Sequence, residues 1–547
     1  EAGTALTTGD NNVAIGFEAL STEDAHGDNV AVGYQALKVQ DAGADAFSTA
    51  VGYQAGVSVT TGVQNSLFGA FAGDALTTGQ QNVAVGLGSL SAEVAGNYSV
   101  AVGRSALQKQ VNSTSTNVYN VAVGFEAGQE ITTGNLNTIV GGLAGDAITT
   151  GTDNVAVGYS ALSAEDAHGL NVAVGSQALR VQNAGANAYN VGVGYNAGGA
   201  ITTGIQNVLV GGLSGDALTD ADFNVALGYG ALTADTKGSM SVAVGYTALG
   251  TQNMTTATNT FNVAVGHAAG SAITTGTGHT IIGALAGDAL TTATFNTAVG
   301  YGTLSADTVG NRSTAIGYAA LFAQNYTTAT DAYNTAVGFH SGVSVTTGIQ
   351  NTLIGGLAGD ALTDADFNVA LGYAALGADV KGSRTTAIGY GALAAQSFST
   401  GTNSDNTAVG YTAGVSITTG IKNTIVGGLA GDALTDADEN TVVGQEALST
   451  DTLGSKSTAI GRAALNQQNF TTATDTYNTA VGYHAGLSVT TGIQNLIVGG
   501  LAGDALTDAD FNVAIGYAAL TSDTLGSRSV AIGYEALENQ NFTTASN

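Results

Sequence analysis

The sequence predicts an all-β protein, a parallel β-solenoid of about 30 coils of 17–21 residues each, and three observations carry that prediction. The first is a period. Asn12, Asn82, Asn154, Asn224, Asn296, Asn368, Asn440 and Asn512 each open a copy of one stretch, with spacings of 72 residues except for two of 70. The second is a shared grammar, because each 72-residue unit divides into four lines that start alike. In the unit from Asn224 these are NVALGYGALTADTKGSM, SVAVGYTALGTQNMTTATNTF, NVAVGHAAGSAITTGTG and HTIIGALAGDALTTATF, here named a, b, c and d. The third is the absence from every line of an apolar stripe at i, i+3 and i+4, which leaves no helix to place.

Each line is expected to form one coil. Its opening N-x-A-x-G alternates and is rich in Val, Ile and Thr, as a short strand requires. Gly closes the strand, as at Gly228 and Gly300, where a backbone without Cβ can turn sharply. Y-x-A-L follows as a second short apolar piece, read as a second strand. A polar turn such as TTG, TADTKG or TDADF ends the line. Stacking such coils about 4.8 Å apart makes the solenoid.

Line d offers a check on packing. In the other lines the third position is normally Ala and the sixth commonly Tyr, as in Ala226 with Tyr229 and Ala370 with Tyr373. In d the sizes invert, giving Leu209 with Gly212, Leu353 with Gly356 and Ile497 with Gly500. Interiors tolerate volume-conserving exchanges best, so the third and sixth positions are expected to share a packed space.

No break in the repeat is visible, so residues 1–547 read as a single continuous solenoid domain. Gly3 to Asn12 matches Gly73 to Asn82, so the chain opens partway through a d line, and Asn547 falls inside the long turn of a b line. It is expected to be an excerpt of a longer fibre. No signal-peptide-like segment begins it. Composition is consistent with a stacked rod: 80 Gly, with Pro, Cys and Trp absent. Uncharged runs are interrupted by Gly, Asn and Thr, so no membrane-inserting span is expected. A net charge of −29 argues against nucleic acid as a partner.

Two turns stand out. The b turns run Q-N-x-T-T-A-T with Met254, Tyr326, Phe470 or Phe542 in the middle and Phe398 in a variant. A row of exposed rings there would suit a glycan or protein partner; the plainer reading has each ring tucked over a neighbouring subunit, merely covering the coil edge. Asn253, Asn325, Asn469 and Asn541 also lie in N-x-T sequons. The d turns carry Asp216, Asp220 and Asp222, with counterparts Asp360, Asp364 and Asp366, Asp432, Asp436 and Asp438, and Asp504, Asp508 and Asp510. Clustered carboxylates suit Ca²⁺, but the spacing matches neither the EF-hand loop nor calcium-binding β-rolls, so each Asp is read as a cap on its own turn. Arg312, Arg384, Lys456 and Arg528, each just before a b line, are read as local charge neutralisation. The six histidines are His26, His168, His267, His279, His340 and His484; His340 and His484 share a place in their lines but stand eight coils apart. No nucleophile elbow, P-loop or Cys is present, so no catalytic, cofactor-binding or metal-ligating residue is assigned and no enzyme is expected.

N-x-A-x-G-x-x-A, as in NVAVGYQAL from Asn29 and STAIGYAAL from Ser313, resembles the YadA-like head repeat of trimeric autotransporter adhesins. Similar lines occur in phage tail-fibre shafts. The likeness covers essentially the whole chain, though the coils here are longer than the family's. It implies a left-handed parallel β-roll, three chains side by side, and a place outside the cell or on a virion. The residues themselves require only more than one chain, since both faces of each strand are apolar or small and one of them needs cover. Ala and Gly suggest that a second backbone approaches closely there. Two roles remain: a shaft that projects a binding tip, and an adhesin whose repeated loops bind a surface or glycan.

Overall fold

The computed structural model describes residues 1–546. Asn547, expected in a long turn, lies outside the described residues. The chain forms two compact units, Glu1–Thr275 and Gly276–Asn547. Both are parallel β-solenoids with no helix among the described residues, and no helix is long and apolar enough to cross a membrane.

In the first unit fifteen of nineteen strands are three residues long, from Val13–Ile15 to Val263–Val265. In the second the same holds for fifteen of twenty-one, from Thr280–Ile282 to Val530–Ile532. They are the N-x-A-x-G segments. Within each unit they pair in parallel with the next line in strict register, Val225, Ala226 and Leu227 opposite Val242, Ala243 and Val244, and Thr386, Ala387 and Ile388 opposite Thr407, Ala408 and Val409. The middle residue points inward and is fully buried, as at Ala226 and Ala387, while its neighbours are half-exposed. Ala therefore faces the coil's own interior. This overturns the expectation that Ala and Gly mark the approach of a second chain; the face left open carries Val, Thr and Ile.

The expected second strand is absent, because Y-x-A-L is a double turn. Thr247 (φ 49°) and Leu249 (φ 50°) both adopt left-handed backbone, a conformation that costs a non-glycine residue roughly 1 kcal/mol. What offsets the cost is bonding in both directions along the stack. The Thr247 N–H donates to Tyr229 O at 3.0 Å in the preceding coil, and the Leu249 N–H to Ala269 O at 3.1 Å in the following one. Gly is required just before this turn. Gly228 has φ 134°, and a Cβ there would lie 2.4 Å from the Gly245 carbonyl oxygen.

Inside each coil the line-opening residue forms a polar ladder. The Asn82 N–H donates to Asn65 Oδ1 at 3.0 Å, and the Ser99 N–H to Asn82 Oδ1 at 2.9 Å. Asn82 Nδ2 closes its own coil on Gly96 O at 2.9 Å. Around this ladder the side chains follow a code of positions three, nine and twelve. Lines a and b have Ala, Leu and a polar residue (Ala226, Leu232 and Asp235). Line c has Ala, Gly and a branched residue, and line d has Leu or Ile, Gly and Leu or Ile, as in Leu209, Gly215 and Leu218. All these side chains are fully buried. A Cβ on Gly215 would approach both Leu209 Cδ2 and Leu218 Cδ1 to 2.8 Å.

The size exchange in line d is thus real, but its partner is not the sixth position. Leu209 is buried, whereas Gly212 lies outside, beside the half-exposed Tyr229 ring of the next coil. The third position exchanges volume with the ninth.

Candidate interaction surface

The turns of the 21-residue b lines are tied down rather than projecting. Gly238–Ser239 in the a turn pairs in parallel with Thr258–Asn259 in the b turn, and Gly310–Asn311 with Thr330–Asp331. The 19-residue b lines at 29–47 and 171–189 show no such strand pair among the described residues. Between the paired ends the central ring folds inward. Met254, Tyr326, Phe398 and Phe470 are buried, and Phe542, in the last coil, is 42% exposed. The Tyr326 hydroxyl donates to Gly348 O at 2.7 Å. These four are covered, as the plainer reading expects, but by the same chain's own coil rather than by a neighbouring subunit. The sequon asparagines lie on the flank, where Asn253 Oδ1 accepts from Thr236 Oγ1 at 3.2 Å and Asn325 Oδ1 from Thr308 Oγ1 at 3.1 Å.

What each ring covers is a buried carboxylate–glutamine pair that the sequence reading missed. Asp235 and Gln252 are both fully buried. Gln252 Nε2 donates to Asp235 Oδ2 at 2.5 Å and to Ser241 Oγ at 2.9 Å. Asp235 Oδ1 accepts the N–H groups of Gly238 and Met254, each at 3.0 Å. Asp307 and Gln324 repeat the arrangement at 2.6 Å, and burial raises the Asp307 carboxyl above its ordinary range. The sequence signal was the Asp or Glu always six residues before the b line and the Gln always eleven residues after that line opens. Set among polar turn residues, both pass for solvent-facing.

The d-turn aspartates bond mainly to the neighbouring coils rather than to their own turns. Asp222 Oδ1 accepts the Ile205 N–H at 2.8 Å, and Asp366 Oδ1 the Ile349 N–H at 2.8 Å, one coil earlier. Asp216 Oδ1 accepts from Thr233 Oγ1 at 2.5 Å, and Asp504 bonds Thr521 in the same way. Asp220 and Asp364 pair at the surface with Lys237 at 3.7 Å and Lys381 at 3.4 Å. The last residue of line a also differs from expectation. The Asp upstream of Arg312 is the buried Asp307, so Arg312 pairs instead with Asp331 of the b turn at 3.4 Å and lies between the Phe295 and Tyr333 rings. Lys456 likewise pairs with Asp475 at 2.5 Å.

Within each unit the recurring feature of the outside is apolar. Beside the half-exposed Val, Thr and Ile of the strands, the sixth position forms stacked ring ladders. Tyr373, Tyr390 and Tyr411 stack at 5.5 and 5.4 Å, and Tyr229, Tyr246 and His267 at 5.8 and 5.4 Å. Each ring is about half exposed, Tyr229 at 54% and Tyr390 at 53%. The small residue of every d line interrupts the ladder, as at Gly356. His340 and His484 belong to this stripe, lying on Phe339 and Tyr483 at 4.0 and 3.8 Å. Stacked rings next to branched side chains make a surface suited to burial against another protein face. No family model matches the chain, and comparison with curated proteins finds no relative.

Proposed function

We propose that the chain is a structural shaft, a homotrimeric fibre segment of an extracellular or virion appendage that holds a binding tip away from a surface. The observation that carries the reading is the outward strand face, where nearly every coil offers two half-buried or exposed Val, Thr, Ile or Leu side chains and three coils in four usually add an exposed ring. An apolar strip repeated coil after coil in each unit, on a chain of net charge −29, calls for cover, and a closed symmetric assembly supplies it. The resemblance to the YadA-like repeat adds the number three, the left-handed winding of the coils and the location outside the cell. The adhesin alternative loses its most direct support, since Met254 and three of the four b-turn rings are packed inside their own coils. Light scattering on the purified chain should give about three times its 53.7 kDa mass. A stable, soluble 53.7 kDa species with full β signal would refute the trimer.

A further inference from the structure

Two of the eight a turns depart from the others in a way that the fold does not require. The residue three after the buried carboxylate is Gly at 96, 238, 310, 382, 454 and 526, but His at 26 and 168. The site is crowded, and a Cβ on Gly238 would fall 2.1 Å from Asp235 Oδ2. In both exceptions the turn reads Glu-Asp-Ala-His-Gly, and the imidazole is set against the carboxylate. His26 Nδ1 lies 3.6 Å from Glu23 Oε1, and His168 Nδ1 lies 3.7 Å from Glu165 Oε1. The backbone holds each carboxylate in place, the His26 N–H donating to Glu23 Oε1 at 3.2 Å and the His168 N–H to Glu165 Oε1 at 3.3 Å.

Exposed carboxylates complete the groups. Donor atoms of Glu23, Asp24, His26 and Asp41 all lie within 4.8 Å of one another, as do those of Glu165, Asp166 and His168. An independent observation points to a ligand. Nδ1 of His26 and of His168, each set against its buried glutamate, has no hydrogen-bond partner, and at the first turn neither Oε1 of Gln40 nor Oε2 of the fully buried Glu23 has one. In other units the glutamine satisfies that oxygen, as Gln182 Nε2 does for Glu165 Oε2 at 3.2 Å. At Glu23, Gln40 Nε2 turns to Gly62 O at 3.0 Å instead.

We propose that these two turns bind a divalent first-row transition cation such as Zn²⁺, through the buried glutamate, Nδ1 of the histidine and the exposed aspartates. A tetrahedral centre with Zn–N and Zn–O bonds near 2 Å needs donors roughly 3.3 Å apart. The Glu–His pairs are already close to that spacing, and the half-exposed or exposed Asp24, His26 and Asp41 have room to close on an ion arriving from solvent. An imidazole in the donor set favours zinc and its neighbours over Ca²⁺ or Mg²⁺, which take oxygen. The first site has four donors. The second has three, because Asn183 stands where the first has Asp41.

The test is calorimetric titration of Zn²⁺ into the chelator-treated 547-residue chain. Two sites per chain are expected, the tighter at His26. His26→Gln and His168→Gln should each remove one site, and Asp41→Asn should weaken the tighter one several-fold, towards the other. Millimolar Ca²⁺ should not displace the zinc. Each variant must keep the β circular dichroism of the parent, which the partly exposed positions permit. Zinc uptake that is absent, or that survives the double histidine variant at unchanged stoichiometry, would overturn the proposal. The first result would leave a bare Glu–His contact and the second diffuse binding to surface carboxylates.

Discussion

At the scale of single residues the interior is a hydrogen-bond ledger in which side chains stand in for one another. His279 occupies a line-opening place that Asn holds in most lines. It performs both of that residue's tasks, Nδ1 accepting the Asn296 N–H at 3.3 Å and Nε2–H donating to Ala293 O at 2.8 Å. These bonds need the neutral ring, and burial lowers its pKa from 6.5 to about 4. The folded state thus takes up its proton later than the unfolded chain. The stability that His279 contributes is complete above pH 6.5 and drains away as pH falls towards 4, by roughly 3 kcal/mol at most. His279→Asn should abolish that part of the acid sensitivity, read as a flatter protection of the 279–312 segment in hydrogen exchange between pH 7 and 4.5. An unchanged pH profile would show that His279 is not the titrating group. The strand-closing Gly was legible because it recurs in nearly every line, whereas the line-opening Asn was legible as a marker of the repeat but not as a buried ladder. The Asp235–Gln252 pair was not, because nothing in ADTKG or TQN distinguishes an inward carboxylate or amide from one in water.

At the scale of the coil, the strand was legible and the corner was not. N-x-A-x-G alternates, and alternation is what a strand with one buried face looks like. Y-x-A-L is apolar too, but its second and fourth residues take positive φ, and a residue such as Leu249 gives no compositional sign of that. The partner of the inverted d line was misjudged for a related reason: Gly212 and Gly215 are both small, and only the direction of the corner decides which one faces Leu209. The code of positions three, nine and twelve makes a sharp prediction. Leu209→Ala should cost about 2–5 kcal/mol through the cavity it leaves. Gly215→Ala should also destabilise, since its methyl would collide with two leucine side chains 2.8 Å away. Together the two changes should cost less than their sum, by about 0.5–3 kcal/mol, because the new methyl enters the vacated space. Strict additivity in thermal or denaturant melts would show that the two positions do not share volume.

At the scale of the whole molecule, the period and the architecture were readable from one line of text copied many times, whereas cover for the outward face is a question that a single chain leaves open. The b turns supply a test that separates scaffold from binding surface. Deleting Thr255 and Thr256 shortens that line from 21 to 19 residues, the length already present at 29–47 and 171–189. A shaft should keep its β signal and assembled mass after all such turns are shortened. Loss of assembly would assign those turns to the subunit interface.

The glycine closing each strand has a further consequence. Because Gly228 leaves no room for anything but the next coil's backbone, a coil accepts a successor by its main chain and its place in the abcd order rather than by its own identity. Excising or inserting one 72-residue copy joins a d line to an a line, a junction the chain already contains many times. Recombination between copies that adds or removes one whole unit should therefore leave a chain that folds. Length in such a protein should then change as a count of units, and chains with one copy added or removed should keep the parent's β circular dichroism per residue.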